Sequence, residues 1–397
     1  MTSPVRAADL AAAVLDAGTR AGLDQVGVCD AAPFSTARDA LVERSAAGLS
    51  GGMQFTYRNP DRSTDPARTL PGARSLVVAA LGYATPVPER PPGAQGRVAR
   101  YATEDHYARL RAGLEAMAEV LRADGHVARV LADDNALVDR AAAVRAGIGW
   151  YGRSSNVLVP GRGSWFVLGS VLTDAALGAR PEPVADGCGS CTRCSDHCPT
   201  GAIVAPGVVD ARRCLAWHVQ QAGELPHEFR VALDDRMYGC DDCQEVCPPS
   251  RRDEARQQPR SEPASPTGAS GPDGAPGAWV DLLWVLAASD AALMERLGRW
   301  YVARRDPRFL RRNALVALAN SVAAHGSLDP HDAAVEAALT RFLDGEDDLL
   351  CGHAAWAALR IGRSDLLAEP SRATRTVVAA ETARWPADGS HREDGPR

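Results

Sequence analysis

The sequence predicts a mixed α+β protein of several domains, and three observations support this fold class. Apolar runs typical of buried strands alternate with helical patterns over the first 180 residues. The next 70 residues contain eight of the ten cysteines. From residue 279 onward the apolar residues recur with helical periodicity. A length of 397 residues suits two or three domains with substantial cores.

Residues 1–180 are predicted to form an α/β domain, because strands and helices alternate along them. Helices are expected at residues 7–21 and 107–124. Four strands are predicted, at residues 26–29, 75–82, 127–131 and 165–173. The clearest of them reads SLVVAALG, an uninterrupted apolar run that indicates a buried strand.

Composition changes divide the rest of the chain. The cysteine-rich module is expected at 181–250, a flexible linker rich in Pro, Gly and Ser at 251–278, a helical domain at 279–384, and a disordered tail at 385–397. Within the helical domain, residues 309–318 resemble residues 349–359, about forty residues further along. That period is typical of HEAT-like helical repeats.

Charge and hydropathy exclude several classes of function. A net charge of -6 argues against a basic coat for non-specific nucleic-acid binding, although a local basic patch remains compatible with it. No apolar stretch reaches membrane-spanning length and none resembles a signal peptide, so a soluble cytoplasmic protein without membrane contact is expected. All 44 basic residues are arginine, which rules out lysine chemistry such as a Schiff base.

The cysteine spacing indicates iron–sulfur clusters. The first run has the spacing C-x2-C-x2-C-x3-C-P and comprises Cys188, Cys191, Cys194 and Cys198, before Pro199. In bacterial ferredoxins three thiolates of such a run hold one [4Fe–4S] cluster and the fourth reaches the other cluster. Zinc is the competing metal, but zinc sites rarely use this spacing. Structural disulfides are not expected in a reducing compartment.

The second run, Cys240, Cys243 and Cys247 before Pro248, is one ligand short. Met237 stands where a further cysteine would be, and Cys214 is the free cysteine nearby that can replace it. One cluster should therefore be held by Cys188, Cys191, Cys194 and Cys247, and the other by Cys198, Cys214, Cys240 and Cys243. The two remaining cysteines, Cys29 and Cys351, lie among apolar residues and are predicted to be core thiols.

Two further segments are candidates for a site. Residues 132–135 (ADDN) follow a predicted strand, where α/β sheets bind ligands, but the residues alone favour a cap for a helix at residues 136–145. Residues 147–153 (GIGWYGR) could bring backbone close to a flat cofactor or form a helix C-cap and turn. No dinucleotide or P-loop motif supports a nicotinamide or ATP site.

Five segments together resemble the epoxyqueuosine reductase family, in matching order over about residues 5–362. They are ADDNALVDRAAAVRAGIGWYGR, GSWFVLGSVLTD, CGSCTRCSDHCPTGAI, RMYGCDDCQEVCP and FLRRNALVALAN. The resemblance implies a cobalamin-dependent enzyme with two [4Fe–4S] clusters, similar to reductive dehalogenases. Such enzymes reduce the epoxide of epoxyqueuosine at the wobble position of tRNA to give queuosine.

The resemblance also implies roles for individual residues. The proton-donating aspartate of the family falls on Asp133, which leaves Asp134 as the expected helix cap. Cobalamin contacts are expected from Arg58, Tyr101, Asp133, Val157, Leu168 and Ala216. Ala216 replaces a hydroxyl residue that the family usually has two positions after the isolated cysteine. The expected partners are tRNA carrying epoxyqueuosine and an external low-potential electron donor, with the protein acting as a monomer.

Five arginines stand within nine residues at positions 304, 305, 308, 311 and 312. Such a run is often a solvated helix face, but it could also bind phosphates. We predict that Arg311 and Arg312 contact the tRNA backbone. Two other functions remain compatible with the sequence: a corrinoid and iron–sulfur reductase of the same architecture that acts on a small molecule, and a two-cluster electron-transfer protein.

Overall fold

The computed structural model describes residues 4–178, 181–257 and 277–385. In the first range the helices are α1 (Pro4–Arg20), α2 (Ser35–Ala46), α3 (Pro60–Ser63), α4 (His106–Ala123) and α5 (Asp139–Arg145). The strands are β1 (Gln25–Asp30), β2 (Ser75–Gly82), β3 (Gln95–Val98), β4 (Ala128–Ala132), β5 (Trp150–Tyr151), β6 (Val157–Leu158) and β7 (Phe166–Thr173). The two helices and four strands predicted here are confirmed to within three residues at each end.

One four-stranded sheet organises this region. Its strand order is β1-β2-β7-β4, and every pairing is antiparallel. Helices α1 and α4 cover the face that carries Val77 and Ala79, and α5 covers the face that carries Leu76 and Val78. Because both faces are covered, β2 is apolar along nearly its whole length.

The predicted α/β arrangement is therefore wrong in the direction of its strands. Strands and helices do alternate, but an apolar run shows only that both faces of a strand are buried. It carries no information about which way the neighbouring strand runs. The carboxyl ends of parallel strands, which would form a ligand-binding edge, do not come together here. Instead Ala132, the last residue of β4, pairs with Gly169 of the antiparallel strand β7.

Secondary structure is short between residues 181 and 257. The helices are α6 (Arg193–Asp196), α7 (Leu215–His218), α8 (His227–Arg230), α9 (Asp242–Glu245) and α10 (Pro248–Arg256), and the strands are β8 (Ile203–Ala205), β9 (Val208–Val209) and β10 (Arg236–Tyr238). Helices α6 and α9 lie inside the two cysteine runs and contact each other. Helix α10 covers the first residues of the predicted linker, and residues 258–276 lie outside the described part of the chain.

A three-stranded sheet connects distant parts of the chain. Its order is β10-β3-β11, with β11 at Trp279–Asp281. Strand β3 runs parallel to β10 and antiparallel to β11. The sheet therefore joins the first region, the cysteine-rich region and the start of the helical region.

The remaining helices are α11 (Leu282–Ala287), α12 (Asp290–Leu297), α13 (Arg308–His325), α14 (Ala333–Leu343), α15 (Asp348–Arg360), α16 (Pro370–Ala373) and α17 (Thr376–Arg384). The two similar stretches lie on α13 and α15, which pack against each other in one apolar core. Their assignment to HEAT-like repeats stays a prediction. The predicted tail lies outside the described residues from 386 onward. Within the described chain, no helix has both the length and the apolarity needed to cross a bilayer.

The prediction that Arg311 and Arg312 contact the tRNA backbone is wrong, because both side chains are buried. Arg312 is fully buried, and its guanidinium donates to the carbonyls of Gln221, Gly223 and His218. Arg311 is also buried and pairs with Asp290, with 2.6 Å between Nη1 and Oδ1. Both arginines are occupied in joining α13 to neighbouring segments, so neither can reach RNA.

Truncation of Arg312 should therefore destabilise the fold. Arg312→Ala removes the donor to three carbonyls, of which that of His218 is buried, and opens a cavity, so we expect the free energy of unfolding to fall by about 3 kcal/mol or more. Thermal denaturation of the cluster-loaded protein measures the loss. Arg308→Ala is the matched control, because this exposed arginine makes surface ion pairs with Asp306 and Asp347 worth at most about 1 kcal/mol. Equal shifts in the two variants would contradict a structural role specific to Arg312.

Candidate functional site: two cysteine sets and an aspartate loop

The structure gathers eight cysteines into two sets. Cys188, Cys191, Cys194 and Cys247 line one concave pocket. The other four, Cys198, Cys214, Cys240 and Cys243, lie close enough for their thiols to influence one another. Burial raises the pKa of Cys243 well above its usual value, and Cys240 and Cys214 raise it further. These are the same two groups of four that the spacing predicts.

The spread of the sulfurs does not suit a single zinc ion. Zinc binds thiolates at about 2.3 Å, which places the sulfurs of a tetrahedral site about 3.8 Å apart. Among the described residues, which include all ten cysteines, no three sulfurs lie within 4.8 Å of one another. A four-iron cluster holds its thiolates at separate corners and therefore tolerates wider spacing. All ten cysteines are free, and Cys29 and Cys351 are buried core thiols, as predicted.

The hairpin formed by β5 and β6 supports both sets. The Trp150 indole Nε1 donates to Cys188 Sγ at 3.5 Å, and Asn156 Nδ2 lies 4.0 Å from Cys243 Sγ. Gly147 has φ 71° and ends α5 in a turn. A side chain on Gly149 would collide with the carbonyl oxygen of Leu158, 2.1 Å from the added carbon. The GIGWYGR segment is therefore a helix cap and turn whose glycines allow the hairpin to close.

The Trp150 contact yields a prediction about the first cluster. A hydrogen bond to a ligand sulfur stabilises the more negative, reduced state of a cluster. Trp150→Phe should therefore shift the reduction potential of the cluster beside Cys188 to a more negative value, as measured by redox titration with electron paramagnetic resonance. Tyr151→Phe, a change at the adjacent residue, is the control. An unchanged potential in Trp150→Phe would show that the indole has no such effect.

Asp133 occupies a constrained turn after β4. Its φ is 54°, in the left-handed region that non-glycine residues rarely adopt. Arg111 on α4 donates to the carbonyl of Ala132 at 3.0 Å, and the Ser63 hydroxyl donates to the carbonyl of Asn135 at 2.7 Å. The turn is thus held on both sides of Asp133, which fixes where its carboxyl group lies.

The predicted capping role of Asp134 is wrong. Helix α5 begins at Asp139, and its N-cap, Val138, has no capping side chain. The Asp134 carboxylate instead accepts from the backbone N–H of Ala136 at 2.8 Å, within the turn that precedes the helix. The predicted helix start was three residues early because this turn has the composition of a helix.

The carboxyl group of Asp133 has an unusual environment. Its side chain is exposed to solvent, yet enough protein surrounds it for desolvation to raise its pKa, while Arg111 opposes the shift. The carboxyl group is therefore accessible to solvent and still partly desolvated by the protein around it. Asp139 lies close by: burial and then Asp133 raise its pKa well above the usual value, and its Oδ1 is buried without a hydrogen bond among the described residues.

Several neighbours of Asp133 were missed from the sequence. Asp133 and Asp139 both raise the pKa of Tyr107, after its own burial, and Arg140 lowers it. Arg140 also lies near Cys214, whose pKa is raised mainly by burial and lowered by this arginine. Arg140 is thus within electrostatic range of both Tyr107 and Cys214. Asp139 and Arg140 lie in the same motif as Asp133, so the motif could have identified them as candidates. Nothing in the sequence distinguishes Tyr107 from other tyrosines.

The residues expected to contact cobalamin are distributed around this region. Val157 and Leu168 pack into the same apolar cluster. Tyr101 packs against two cores, and its hydroxyl oxygen accepts from Gln220 Nε2 at 3.4 Å. Ala216 lies on α7, two residues from Cys214, and Arg58 is exposed at the end of a short 3₁₀ helix. The structure therefore pairs Val157 with Leu168 and places Ala216 beside the second cysteine set. The short helix that ends at Arg58 is linked to the turn of Asp133 by Ser63, whose hydroxyl donates to the carbonyls of Thr56 and Asn135.

Two sets of four cysteines with the spacing of [4Fe–4S] ligands, together with an aspartate whose pKa is raised, are typical of an iron–sulfur oxidoreductase. Comparisons with known proteins agree with this class. The family model "4Fe-4S double cluster binding domain" matches residues 187–250, and "Epoxyqueuosine reductase QueG, DUF1730" matches residues 63–134. The chain belongs to the epoxyqueuosine reductase family, and it binds two [4Fe–4S] clusters.

Named relatives and solved structures match over most of their length. The epoxyqueuosine reductase of Vibrio cholerae is 32% identical over 344 residues, covering 85% of this chain and 88% of the relative, and that of Bacillus cereus is 31% identical over 349 residues, covering 86% of each. A crystal structure of selenomethionine-labelled epoxyqueuosine reductase superposes with a TM-score of 0.81 at 29% identity, covering 95% of this chain and 98% of the other. Another, containing an epoxyqueuosine-modified tRNA-Tyr stem loop, gives 0.80 at 28% identity, with the same coverage.

Proposed function

We propose that this protein reduces the epoxide of epoxyqueuosine in tRNA to give queuosine, with electrons carried by its two [4Fe–4S] clusters. The observation that supports the proposal is a chain of electrostatic neighbours: Asp133 and Arg140 both act on Tyr107, and Arg140 also acts on Cys214 of the second cysteine set. Electrons and a proton can thus arrive at the same place. The relative solved with an epoxyqueuosine-modified tRNA stem loop supports the choice of substrate.

The surroundings of Asp133 suit a large flat cofactor such as cobalamin. Tyr151 is 45% exposed, yet the protein around it desolvates its hydroxyl and raises its pKa. Tyr151 and Asp133 both lie within electrostatic range of Asp139, so an accessible aromatic ring and an accessible carboxyl group occur in the same region. Val157, Leu168 and Ala216 would add apolar contacts, and Tyr101 a hydroxyl. Cobalamin, when bound, supplies the strongly reducing chemistry that an epoxide requires.

Asp133 can act as the acid of this reaction. Conversion of an epoxide to an alkene takes up two electrons and two protons, and the oxygen leaves as water. A carboxyl group with a raised pKa keeps its proton closer to neutral pH, so it can deliver one of these protons as a C–O bond breaks. Arg111 and Ser63 hold the turn that presents this group. We expect the electrons to come from an external low-potential donor and the protein to act as a monomer.

The direct test uses tRNA that contains epoxyqueuosine. Cluster-loaded protein is incubated anaerobically with this tRNA, cobalamin and a chemical reductant, and the nucleosides are then quantified by mass spectrometry. We expect epoxyqueuosine to be replaced by queuosine only when cobalamin is present. Failure of protein that carries both clusters and cobalamin would reject the function. Reduction of a small-molecule epoxide without action on the tRNA would indicate a small-molecule reductase instead.

A further inference from the structure

Residues 301–305, here called the 301–305 segment, form part of the surface beside the candidate site. The Tyr238 hydroxyl donates to the carbonyl of Tyr301 at 2.9 Å, and Trp300 stacks on the Tyr238 ring at 4.5 Å. Tyr238 is in turn close enough to Asp133 to be influenced by its charge. Tyr238 thus contacts the segment directly and also lies within electrostatic range of the aspartate turn.

The segment is also attached to the second cysteine region. The backbone N–H of Ala303 donates to the carbonyl of Gln220 at 2.9 Å, and the side chain of Gln220 donates to the Tyr101 hydroxyl. These contacts fix the backbone of the segment at the edge of the site. They leave its outward side chains unused: Tyr301 is 57% exposed, and Arg304 and Arg305 are exposed as well.

Arg304 and Arg305 adopt an unfavourable backbone conformation. Their φ values are 57° and 55°, so two consecutive arginines lie in the left-handed region. Most residues with a Cβ disfavour this conformation for steric reasons. Glycine adopts it readily, and asparagine tolerates it better than arginine does. Strained positions of this kind persist where the surrounding structure holds them and are concentrated at functional sites.

The guanidiniums of these two arginines have no direct partner within the described chain, although Arg304 is close enough to Asp306 to help lower the pKa of that carboxyl group. Neither guanidinium makes a hydrogen bond or an ion pair with any residue the structure describes. The other three arginines of the run are all engaged: Arg308 with Asp306 and Asp347, Arg311 with Asp290, and Arg312 with backbone carbonyls. The nearest acid, Asp306, is bound to Arg308 at 2.7 Å. The run therefore contains three arginines with hydrogen-bond or ion-pair partners and two arginines without such a partner among the described residues.

We propose that the 301–305 segment is an RNA-binding surface, on which Arg304 and Arg305 bind phosphates and Tyr301 stacks against a base. An exposed aromatic ring beside two free guanidiniums matches the chemistry of single-stranded RNA, whose bases stack on aromatic faces and whose backbone attracts cations. The location suits nucleotides next to the one that enters the site. This inference rests on the proposed function, because it assumes that the substrate is a tRNA anticodon loop.

The test is the salt dependence of binding to a tRNA anticodon stem loop. In the double variant Arg304→Asn/Arg305→Asn, the slope of log affinity against log salt concentration should become less negative by about 1.4. Each phosphate contact to a single strand contributes about 0.7 to the magnitude of this slope. Affinity at 0.1 M salt should fall about tenfold or more. Because asparagine tolerates the left-handed conformation, the thermal unfolding midpoint should stay the same or rise. Weaker binding without loss of stability distinguishes a binding role from a structural one.

Two further variants sharpen the test. Tyr301→Leu should weaken binding about fivefold or more without changing the salt slope, because stacking carries no charge. Arg308→Asn is the matched control, since Arg308 is exposed in the same run but already paired, and its slope should equal that of the wild type. An unchanged slope in the double variant would overturn the proposal.

The outcome can be separated from that of the proposed function. If the wild type reduces epoxyqueuosine in tRNA but the double variant binds RNA normally, the inference fails and the function stands. If the double variant loses salt-dependent binding but the wild type does not reduce the epoxide, the function fails and the surface stands. Normal RNA binding combined with slower reduction by a protein electron donor would assign the surface to a protein partner, against the proposal.

Discussion

Asp133→Asn should lower turnover of epoxyqueuosine-containing tRNA by about 100-fold or more, while RNA and cobalamin binding persist. The amide cannot donate the proton that the leaving oxygen requires, and loss of a general acid typically has an effect of this size. Stability should be unaffected, because asparagine accepts the φ of 54° at this position. Single-turnover kinetics on protein with both clusters and cobalamin loaded measure the effect.

The pH dependence follows from the direction of the pKa shift. Asp133 acts in its protonated form, and desolvation raises its pKa. Activity should therefore be greatest below this raised pKa and fall as the pH rises through it. Asp134→Asn is the matched control, because the asparagine oxygen can still accept from Ala136. Its maximal activity should be retained, and the pH profile should move to lower pH, because the Asp134 charge contributes to the raised pKa of Asp133. If Asp133→Asn were as active as the wild type, another group would have to be the acid.

Cys214→Ser should remove the second cluster and abolish activity. Serine has nearly the same shape, but its oxygen is a poor ligand for cluster iron. The first cluster should persist, because Cys188, Cys191, Cys194 and Cys247 form a separate set. Iron content should thus fall to about four of about eight atoms per chain, with visible absorbance falling by about half.

Cys29→Ala is the control for this change. Cys29 is buried in the apolar core, away from both cysteine sets, so its removal should leave the iron content intact. Full iron content in Cys214→Ser would show that Cys214 is not a ligand. Turnover with a chemical reductant then reports whether the first cluster alone can support reduction.

The sequence predicted those features that depend on neighbouring residues, and it did not predict features that depend on contacts with distant segments. The strand at β2 was placed correctly because burial on both faces leaves an apolar run, but the antiparallel direction of its neighbours depends on distant connections. Cysteine spacing and a count of missing ligands indicated two sets of four, with Cys214 in the second. The family resemblance, rather than periodicity, singled out Asp133.

The arginine run shows why charge patterns mislead. Five arginines in nine residues look like one surface, yet Arg312 is buried because the carbonyls around residues 218–223 need donors. Those carbonyls lie about 90 residues away in sequence, so no local pattern predicts the contact. The strained backbone of Arg304 and Arg305 could not be predicted either, because no residue type in this segment favours the left-handed backbone region.

The sheet formed by β10, β3 and β11 has a consequence for how the protein is made. Strand β3 ends at Val98, but its antiparallel partner begins only at Trp279, about 180 residues later. At translation rates of about 5–20 residues per second, roughly 10–40 s separate the synthesis of the two strands. All eight cysteines of the two sets are synthesised within that interval. The nascent chain therefore contains all eight of these cysteines before the three-stranded sheet can be completed.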